Sequence, residues 1–243
     1  MLEPFTLEGT HVRLEPLSES HVPALVEAAA EDRSHYRWSY VPDGTKEVTD
    51  YVRDALAKVA SGAQVAFATV RRCGDAEGKD RVVGATRFCE VSYWQWPPGA
   101  NHQRNGVPDV VDIGATWLAG SAQRTLVNTE AKLLLMTHAF EVWGVHRVAL
   151  QTDVRNKRSW AAIERIGGKL DGILRADWPG GRRHGAHLGP LLHRGLRVSR
   201  GEGAPDGATG PGLAPGRLRR GQGKPRSSAG AGRVRPPRPR PWA

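Results

Sequence analysis

The spacing of apolar and polar residues switches repeatedly along the chain between the alternation of a strand and the wider spacing of an amphipathic helix. A helical stretch places its apolar residues three and four positions apart, whereas a half-buried strand alternates them. This pattern predicts strands over Phe5–Leu14, Gln64–Arg72, Val82–Tyr93, Val110–Leu118, His146–Thr152 and Lys169–Ala176. It predicts helices over Val22–Glu31, Glu47–Ser61, Asn128–Trp143 and Ser159–Ile166. Ser18 and Thr45 are predicted to cap the first two helices.

This order of elements predicts one fold class. Strands precede and follow helices in the first half of the chain, and two strand–helix steps lie near its end. A strand and a helix each have to bury one apolar side, so this order favours a sheet with helices on its faces. The sequence therefore predicts an α/β (α+β) domain with a mixed central sheet flanked by helices.

The net charge of +10 suggests, taken alone, a protein that binds a polyanion. The charge is unevenly distributed, because residues 181–243 hold 14 of the 35 basic residues and 2 of the 25 acidic ones. Subtraction leaves 21 basic and 23 acidic residues in the first 180, so the body carries −2 and the tail +12. The tail is rich in Gly and Pro and has too few large apolar residues to offset its chain entropy. We predict a folded domain over 1–179 and a disordered tail over 180–243.

Cysteine content and hydropathy indicate the compartment. Cys73 and Cys89 are the only cysteines, too few for a disulfide framework, which favours a reducing compartment. The N-terminus lacks the basic and apolar pattern of a signal peptide. No apolar run approaches the roughly 18 residues of a membrane-spanning helix. We expect a cytoplasmic monomer or homodimer with no membrane partner.

The turn after the predicted strand Val110–Leu118 has features of an anion site. A helix N-terminus presents free N–H groups and the positive end of its dipole to a pyrophosphate. Gln123 and Arg124 precede the helix, where their side chains can also reach a phosphate. Taken alone, the turn is equally compatible with an ordinary connection that binds no ligand.

A second motif follows the next predicted strand. Asp153-Val154-Arg155-Asn156 precedes Ser159 and a helix, and Asn156 is also suited to cap that helix. Together with the turn at Gln123, this motif resembles the coenzyme-A-binding half of a GNAT-superfamily acetyltransferase. The resemblance implies acetyl-CoA as the cofactor, held by Trp117, Leu118, Gln123, Arg124, Thr125, Leu126, Val127, Asn128, Asn156 and Ser159.

The turn departs from the family pattern at one position. The family has glycine, then glycine or alanine, where this chain has Leu126 and Asn128. An asparagine is common at the second position in the branch that this chain resembles. At the first position, we expect a side chain to crowd the pyrophosphate or to oppose a positive φ. The departure concerns cofactor affinity and leaves the predicted fold unchanged.

Two further stretches, Gly9–Leu17 and Asp112–Leu118, resemble the branch that includes the ribosomal-protein alanine acetyltransferases. The whole resemblance covers about residues 1–178. It implies the GNAT acyl-CoA N-acyltransferase fold and an enzyme that needs no metal. The implied reaction moves acetyl from acetyl-CoA directly to a primary amine, through a tetrahedral intermediate. The amine belongs to a protein N-terminus or to a small molecule.

Acetyl transfer needs a neutral amine and a proton for the departing thiolate. Asp112, on the strand before the turn, is predicted to be the base, directly or through water; a purely structural acid is an equal alternative. Ser159 is predicted to protonate the thiolate, with a solvent-facing serine as the alternative. We expect the acceptor to contact aromatic and cationic side chains, each of which could instead serve packing: Trp38, Tyr40, Arg87 and Trp94.

The end of the chain does not match the family. A last strand is needed after Arg175–Trp178, and Gly180–Arg200 has the pattern of a poor strand. Shifting the codons by one base recovers a family-like strand over Pro190–Val198. We therefore expect a frameshift near residues 179–184 and a last strand that is missing or degraded. Two other functions stay open: an inactive remnant of the family, and nucleic-acid binding through the basic tail, which has few aromatic residues to interleave.

Overall fold

The computed structural model of the chain describes residues 2–73, 78–100, 106–175 and the backbone of 192–199. Its strands are β1 Leu7–Glu8, β2 Val12–Pro16, β3 Val65–Arg71, β4 Arg81–Ser92, β5 Val110–Leu118, β6 Arg147–Asp153, β7 Lys169–Arg175 and β8 Leu192–Ser199. Its α-helices are α1 Val22–Ala30, α2 Gly44–Ala60, α3 Leu126–Thr137 and α4 Lys157–Arg165. A π-helical segment, His138–Trp143, continues α3. No helix in the described ranges combines the length and the apolar content needed to cross a membrane.

The described strands form one sheet in the order β1-β2-β3-β4-β5-β6-β8-β7. Neighbouring strands are antiparallel except for β5 and β6, which run parallel. Parallel neighbours need a crossover connection, and α3 supplies it between the end of β5 and the start of β6. The predicted mixed sheet with flanking helices is confirmed.

Helices cover both faces of the sheet. Phe88 on β4 packs against Trp143 at the end of the α3 segment, with ring centroids 4.7 Å apart. The preceding residue, Arg87, lies over the ring of Tyr51 on α2 at 4.3 Å. Consecutive strand residues point to opposite faces, so α2 and the end of the α3 segment lie on opposite sides of β4. Phe67 and Phe88 are fully buried at the centre of the core.

The N-terminal half of α3 is fixed to the turn between β1 and β2. The carboxylate of Glu130 accepts hydrogen bonds from the backbone N–H groups of Thr10, His11 and Val12, at 2.9, 2.6 and 2.9 Å. A Cβ on Gly9 would lie 2.5 Å from Glu130 Cδ, so the contact needs glycine there. This contact positions the start of α3, where the predicted anion site lies.

Three predicted helix starts are too late. α4 begins at Lys157, not Ser159, because Asn156 is its N-cap. α3 begins at Leu126, not Asn128, because the Thr125 hydroxyl accepts the Val127 N–H and caps the helix at Thr125. α2 begins at Gly44, before the predicted cap Thr45. There the Glu47 carboxylate accepts the Asp43 N–H at 3.1 Å. In all three cases a side-chain contact at the helix start moved the boundary by one turn or less.

The expectation that the last strand is missing is corrected by the structure. Leu192–Ser199 forms β8, which pairs with β6 from Arg147↔Ser199 to Asp153↔His193 and with β7 on its other side. Pairing on both sides satisfies the backbone groups of a strand whose side-chain pattern is poor. The predicted frameshift region and the boundary at residue 179 lie in 176–191, outside the described residues, as does residue 200 onward.

We expect Gly84→Ala to lower the free energy of unfolding by about 3 kcal/mol, at the upper end of ordinary substitutions. Gly84 on β4 has φ +157°, and a Cβ there would lie 2.1 Å from the Trp117 carbonyl oxygen on β5. Gly172→Ala on β7 is the matched control, because nothing lies within 4 Å of its added Cβ. Denaturant unfolding of both variants measures the difference, and equal stabilities would contradict this account of the β4–β5 contact.

Candidate active site

A split in the sheet separates β5 from β6. The two strands pair only over Val110↔Arg147, Val111↔Val148 and Asp112↔Ala149. Beyond Asp112 the strands no longer pair, although both continue for several residues. Their facing backbone edges can therefore form hydrogen bonds with an extended ligand that carries amide groups.

Bulges in the ladder between β4 and β5 lie beside this split. The register shifts between Ala85/Arg87 and between Cys89/Ser92. Ala115 in β5 and Glu90 in β4 have positive φ values of 47° and 46°. Such φ values are uncommon for residues with a side chain and occur often at ligand sites. The bulge at Ala115 re-aims the backbone of β5 along the edge that faces the split.

The turn between β5 and α3 is built by side-chain hydrogen bonds. Thr125 donates to the Ala122 carbonyl at 2.7 Å while it caps α3. Gln123 Nε2 donates to the Leu118 carbonyl at 3.0 Å, so its side chain turns back toward β5. The positive φ of the turn, 60°, falls on Arg124. Leu126 is helical and 58% exposed, so the φ that we expected to require glycine at 126 is not needed there.

The donor groups at this turn fit a diphosphate. The first N–H groups of a helix have no intrahelical partner, and at α3 the cap satisfies only that of Val127. Asn128 lies in the first turn of α3, and its amide NH2 group is a further donor, whereas its buried Oδ1, which has no hydrogen-bond partner among the described residues, can only accept. A cavity of about 310 Å³ adjoins this helix start and is lined by His11, Arg71, Arg72, Thr125, Leu126 and Val127. The sequence interpretation missed its two arginines, which lie at the end of β3, far away along the chain.

Asp112 and Ser159 lie on elements that border the split. Asp112 is the last residue of β5 that pairs with β6, and its Oδ2 accepts from Gln151 Nε2 at 3.0 Å. Asn156 caps α4 by accepting the Ser159 N–H on its Oδ1 at 3.2 Å, which confirms the predicted cap. Ser159 is half-buried in the first turn of α4. Cys89 pairs with Asp112, and burial raises the pKa of its thiol to about 11.

The predicted acceptor residues do not form one group. Trp38 lies under the Arg155 guanidinium at 4.2 Å, just after β6. Trp94 stacks on His146, just before β6, with ring centroids 5.5 Å apart. The length of β6, about 20 Å for seven residues, therefore separates Trp38 from Trp94.

The other two acceptor candidates differ in exposure. Tyr40 is 53% exposed. Arg87 is buried, and its Nη1 donates to Gln64 Oε1 at 3.2 Å. Tyr36, close to Trp38 and Tyr40 along the chain, donates its hydroxyl to the Leu118 carbonyl at 3.1 Å. Burial raises the pKa of Tyr36 to about 12, so this hydroxyl remains a donor at neutral pH.

Lys132 was also missed by sequence reasoning. Its side chain is buried beneath β5, and its Nζ donates to Thr116 Oγ1 at 2.7 Å. Leu135 and Met136 lie three and four positions after Lys132 on α3 and pack in the core, so a lysine at helical spacing from apolar core residues is the signal that could have revealed it. A lysine at such a position can also extend its long stem and hold the ammonium in solvent. The sequence pattern alone therefore does not distinguish a buried ammonium from an exposed one.

Comparison with known proteins identifies the family of the chain. A family profile described as an acetyltransferase (GNAT) domain matches residues 11–169. A structure described as an acetyltransferase from T. thermophilus is 27% identical, with 82% of this chain and 91% of that chain covered and a TM-score of 0.60. A search of curated proteins gave no match.

Two more distant structures share the fold. A GCN5-related N-acetyltransferase from Brucella melitensis is 24% identical, with 82% of this chain and 80% of that chain covered and a TM-score of 0.63. An acetyltransferase from Salmonella typhimurium, described as modifying the N-terminal serine of a 50S ribosomal subunit protein, is 18% identical. That alignment covers 81% of this chain and 100% of that chain, with a TM-score of 0.60.

Proposed function

We propose that this chain, which belongs to the GNAT acetyltransferase family, acetylates the α-amine of a protein N-terminus. Members of the family take their acetyl group from acetyl-CoA. Family membership makes the chain an acyltransferase of the predicted fold, with acetyl-CoA as its cofactor and an amine as its acceptor. The proposal extends this to the type of amine and to the residues that move protons.

The observation that carries the proposal is the position of Asp112 at the point where β5 and β6 separate. Residues on both strands after that point can contact the pantetheine arm, and the start of α3 can hold the pyrophosphate. Asn156 uses its Oδ1 in the α4 cap, which leaves its amide N–H groups available to donate. Bound acetyl-CoA supplies an activated thioester.

In the proposed reaction, the acceptor nitrogen bonds to the thioester carbon and the carbon–sulfur bond breaks. Asp112 accepts the proton that the amine loses, directly or through a water. Ser159 donates a proton to the departing sulfur and regains one from solvent. Backbone N–H groups near the bulge at Ala115 stabilise the negative charge on the thioester oxygen.

An α-amine is the acceptor that needs the least help from a carboxylate base. Its pKa of about 7.7–8.0 leaves roughly a tenth of it neutral at pH 7, whereas a lysine near 10.4 is less than a thousandth neutral. We assign the chain to the branch of the ribosomal-protein alanine acetyltransferases because its stretches Gly9–Leu17 and Asp112–Leu118 resemble that branch. The Trp38–Arg155 pair, just after the end of β6, and the exposed Tyr40 are the proposed contacts of the acceptor chain.

We expect the enzyme to prefer a free N-terminus over a lysine side chain by about a hundredfold in kcat/KM at pH 7, following the difference in neutral amine. Two peptides test this: one with a free N-terminal alanine and no lysine, and one with a blocked N-terminus and a single lysine. Release of CoA thiol measures both rates. Equal rates, or faster acetylation of the lysine peptide, would contradict the α-amine proposal.

A further inference from the structure

Lys132 places a buried positive charge beneath the site. The side chain is only 6% exposed. Within the described residues, its ammonium forms no ion pair and its hydrogen bond goes to the Thr116 hydroxyl. Burying an ammonium without a carboxylate opposes folding. A residue with such a cost is a candidate for a role in function.

The contacts of Lys132 lead to the bulge of β5. Thr116 follows Ala115, whose φ is 47°. The Thr116 hydroxyl also lies 2.8 Å from the Thr86 hydroxyl on β4 and 3.3 Å from the Gly114 carbonyl. A short polar chain therefore joins α3 to the part of β5 that faces the split.

Lys132 and Asp112 act from opposite faces of the sheet. Thr86, which contacts the Lys132 network, and Cys89, which pairs with Asp112, are three positions apart on β4. Strand residues an odd number of positions apart point to opposite faces. The ammonium is thus separated from the proposed base by the sheet, and the two do not neutralise each other by contact.

We propose that Lys132 is a positioning residue for acyl transfer, which acts through Thr116 to hold the bulge at Ala115 and to put positive charge beneath the developing oxyanion. The inference rests on the proposed function, because it needs acyl transfer beside the bulge. Fixed charge aimed at a site where negative charge develops lowers the barrier without costing reorganisation.

The protonation of Lys132 limits this role to the pH range in which the ammonium keeps its charge. Burial lowers the pKa of the ammonium from its ordinary 10.5 to about 7, and the nearby Cys89 opposes the shift. Below pH 7 the ammonium is therefore charged although the fold disfavours the charge. The unfolded chain holds this proton more tightly than the native one. The loss of folding stability caused by the buried charge is therefore complete below pH 7 and decreases as pH rises toward 10.5.

The test replaces Lys132 by methionine in the full chain, which keeps the length of the side chain and removes the charge. We expect kcat below pH 7 to fall about tenfold, less than for loss of a direct oxyanion donor, with Kd for acetyl-CoA unchanged. The Tm below pH 7 should not fall, because the variant no longer buries a charge. Lys58→Met, on an exposed face of α2, is the matched control.

A second variant, Thr116→Val, removes the hydroxyl but keeps Lys132, and we expect a similar loss of kcat. Unchanged kcat in Lys132→Met, or a loss of kcat that accompanies a lower Tm or weaker acetyl-CoA binding, would overturn the inference in favour of a structural role. A parent chain without any acetyl transfer would instead overturn the proposed function, on which the inference rests.

Discussion

Replacing Asp112 by asparagine is expected to lower kcat/KM about a hundredfold or more, because an amide cannot accept the proton of the amine. Asparagine keeps the shape of the side chain and can still accept the hydrogen bond from Gln151 Nε2, which spans 3.0 Å. The fold and the affinity for acetyl-CoA should therefore survive. Steady-state kinetics with a peptide acceptor and calorimetry with acetyl-CoA measure the two properties separately.

Asp50→Asn on α2 is the matched control, because Asp50 forms an exposed ion pair with Lys46 and no other among the described residues, and such pairs contribute little. We also expect the loss in Asp112→Asn to shrink as pH rises past the α-amine pKa of about 7.7–8.0, since the acceptor then needs no base. If Asp112→Asn keeps the parental kcat/KM, Asp112 is not the base and its role is structural.

A chain that ends after Arg175 is expected to lose cooperative unfolding altogether. β8 lies between β6 and β7 and pairs with both. Its removal leaves β6 without its antiparallel partner and β7 without the neighbour that joins it to the sheet. An exposed edge beside the split should also promote aggregation. Thermal melts followed by circular dichroism, together with acetyl-CoA calorimetry, measure the loss.

A chain that ends after Glu202 is the control, because it keeps β8, Leu192–Ser199. We expect it to melt cooperatively and to bind acetyl-CoA. Leu196→Pro keeps the full length and removes one backbone donor in the middle of β8, so it should be destabilised as well. Cooperative melting and full acetyl-CoA binding by the chain that ends after Arg175 would show that β8 is dispensable.

The parts of the fold that depend on local pattern were predictable from sequence. The predicted bounds of β5, Val110–Leu118, agree with the structure, because apolar residues recur at every second position of the sequence from Val111 to Trp117. The bulge at Ala115 interrupts that alternation in the structure and was not predicted. Asn156 caps α4 as predicted, since capping depends on residues three positions apart. The start of α3 was misplaced because the Thr125 hydroxyl, not the first apolar residue, fixes it.

The parts that depend on distant contacts were not predictable in this way. Nothing local to Lys132 shows that Thr116 meets its ammonium beneath β5. From sequence, Trp38 and Trp94 were equally plausible contacts of the acceptor. The structure shows that they lie near opposite ends of β6. The last strand was predicted to be missing because its side-chain pattern is poor. Its position between β6 and β7 depends instead on backbone pairing on both sides.

The central claim is that this chain transfers acetyl from acetyl-CoA to an amine at the split between β5 and β6. The most direct measurement incubates the full chain with acetyl-CoA and a peptide with a free N-terminus, and follows thiol release and peptide mass together. The account predicts one CoA thiol released for each acetyl group found on the peptide α-amine. Thiol release at the rate of the enzyme-free blank, with no acetylated product from any amine in a panel, would contradict it.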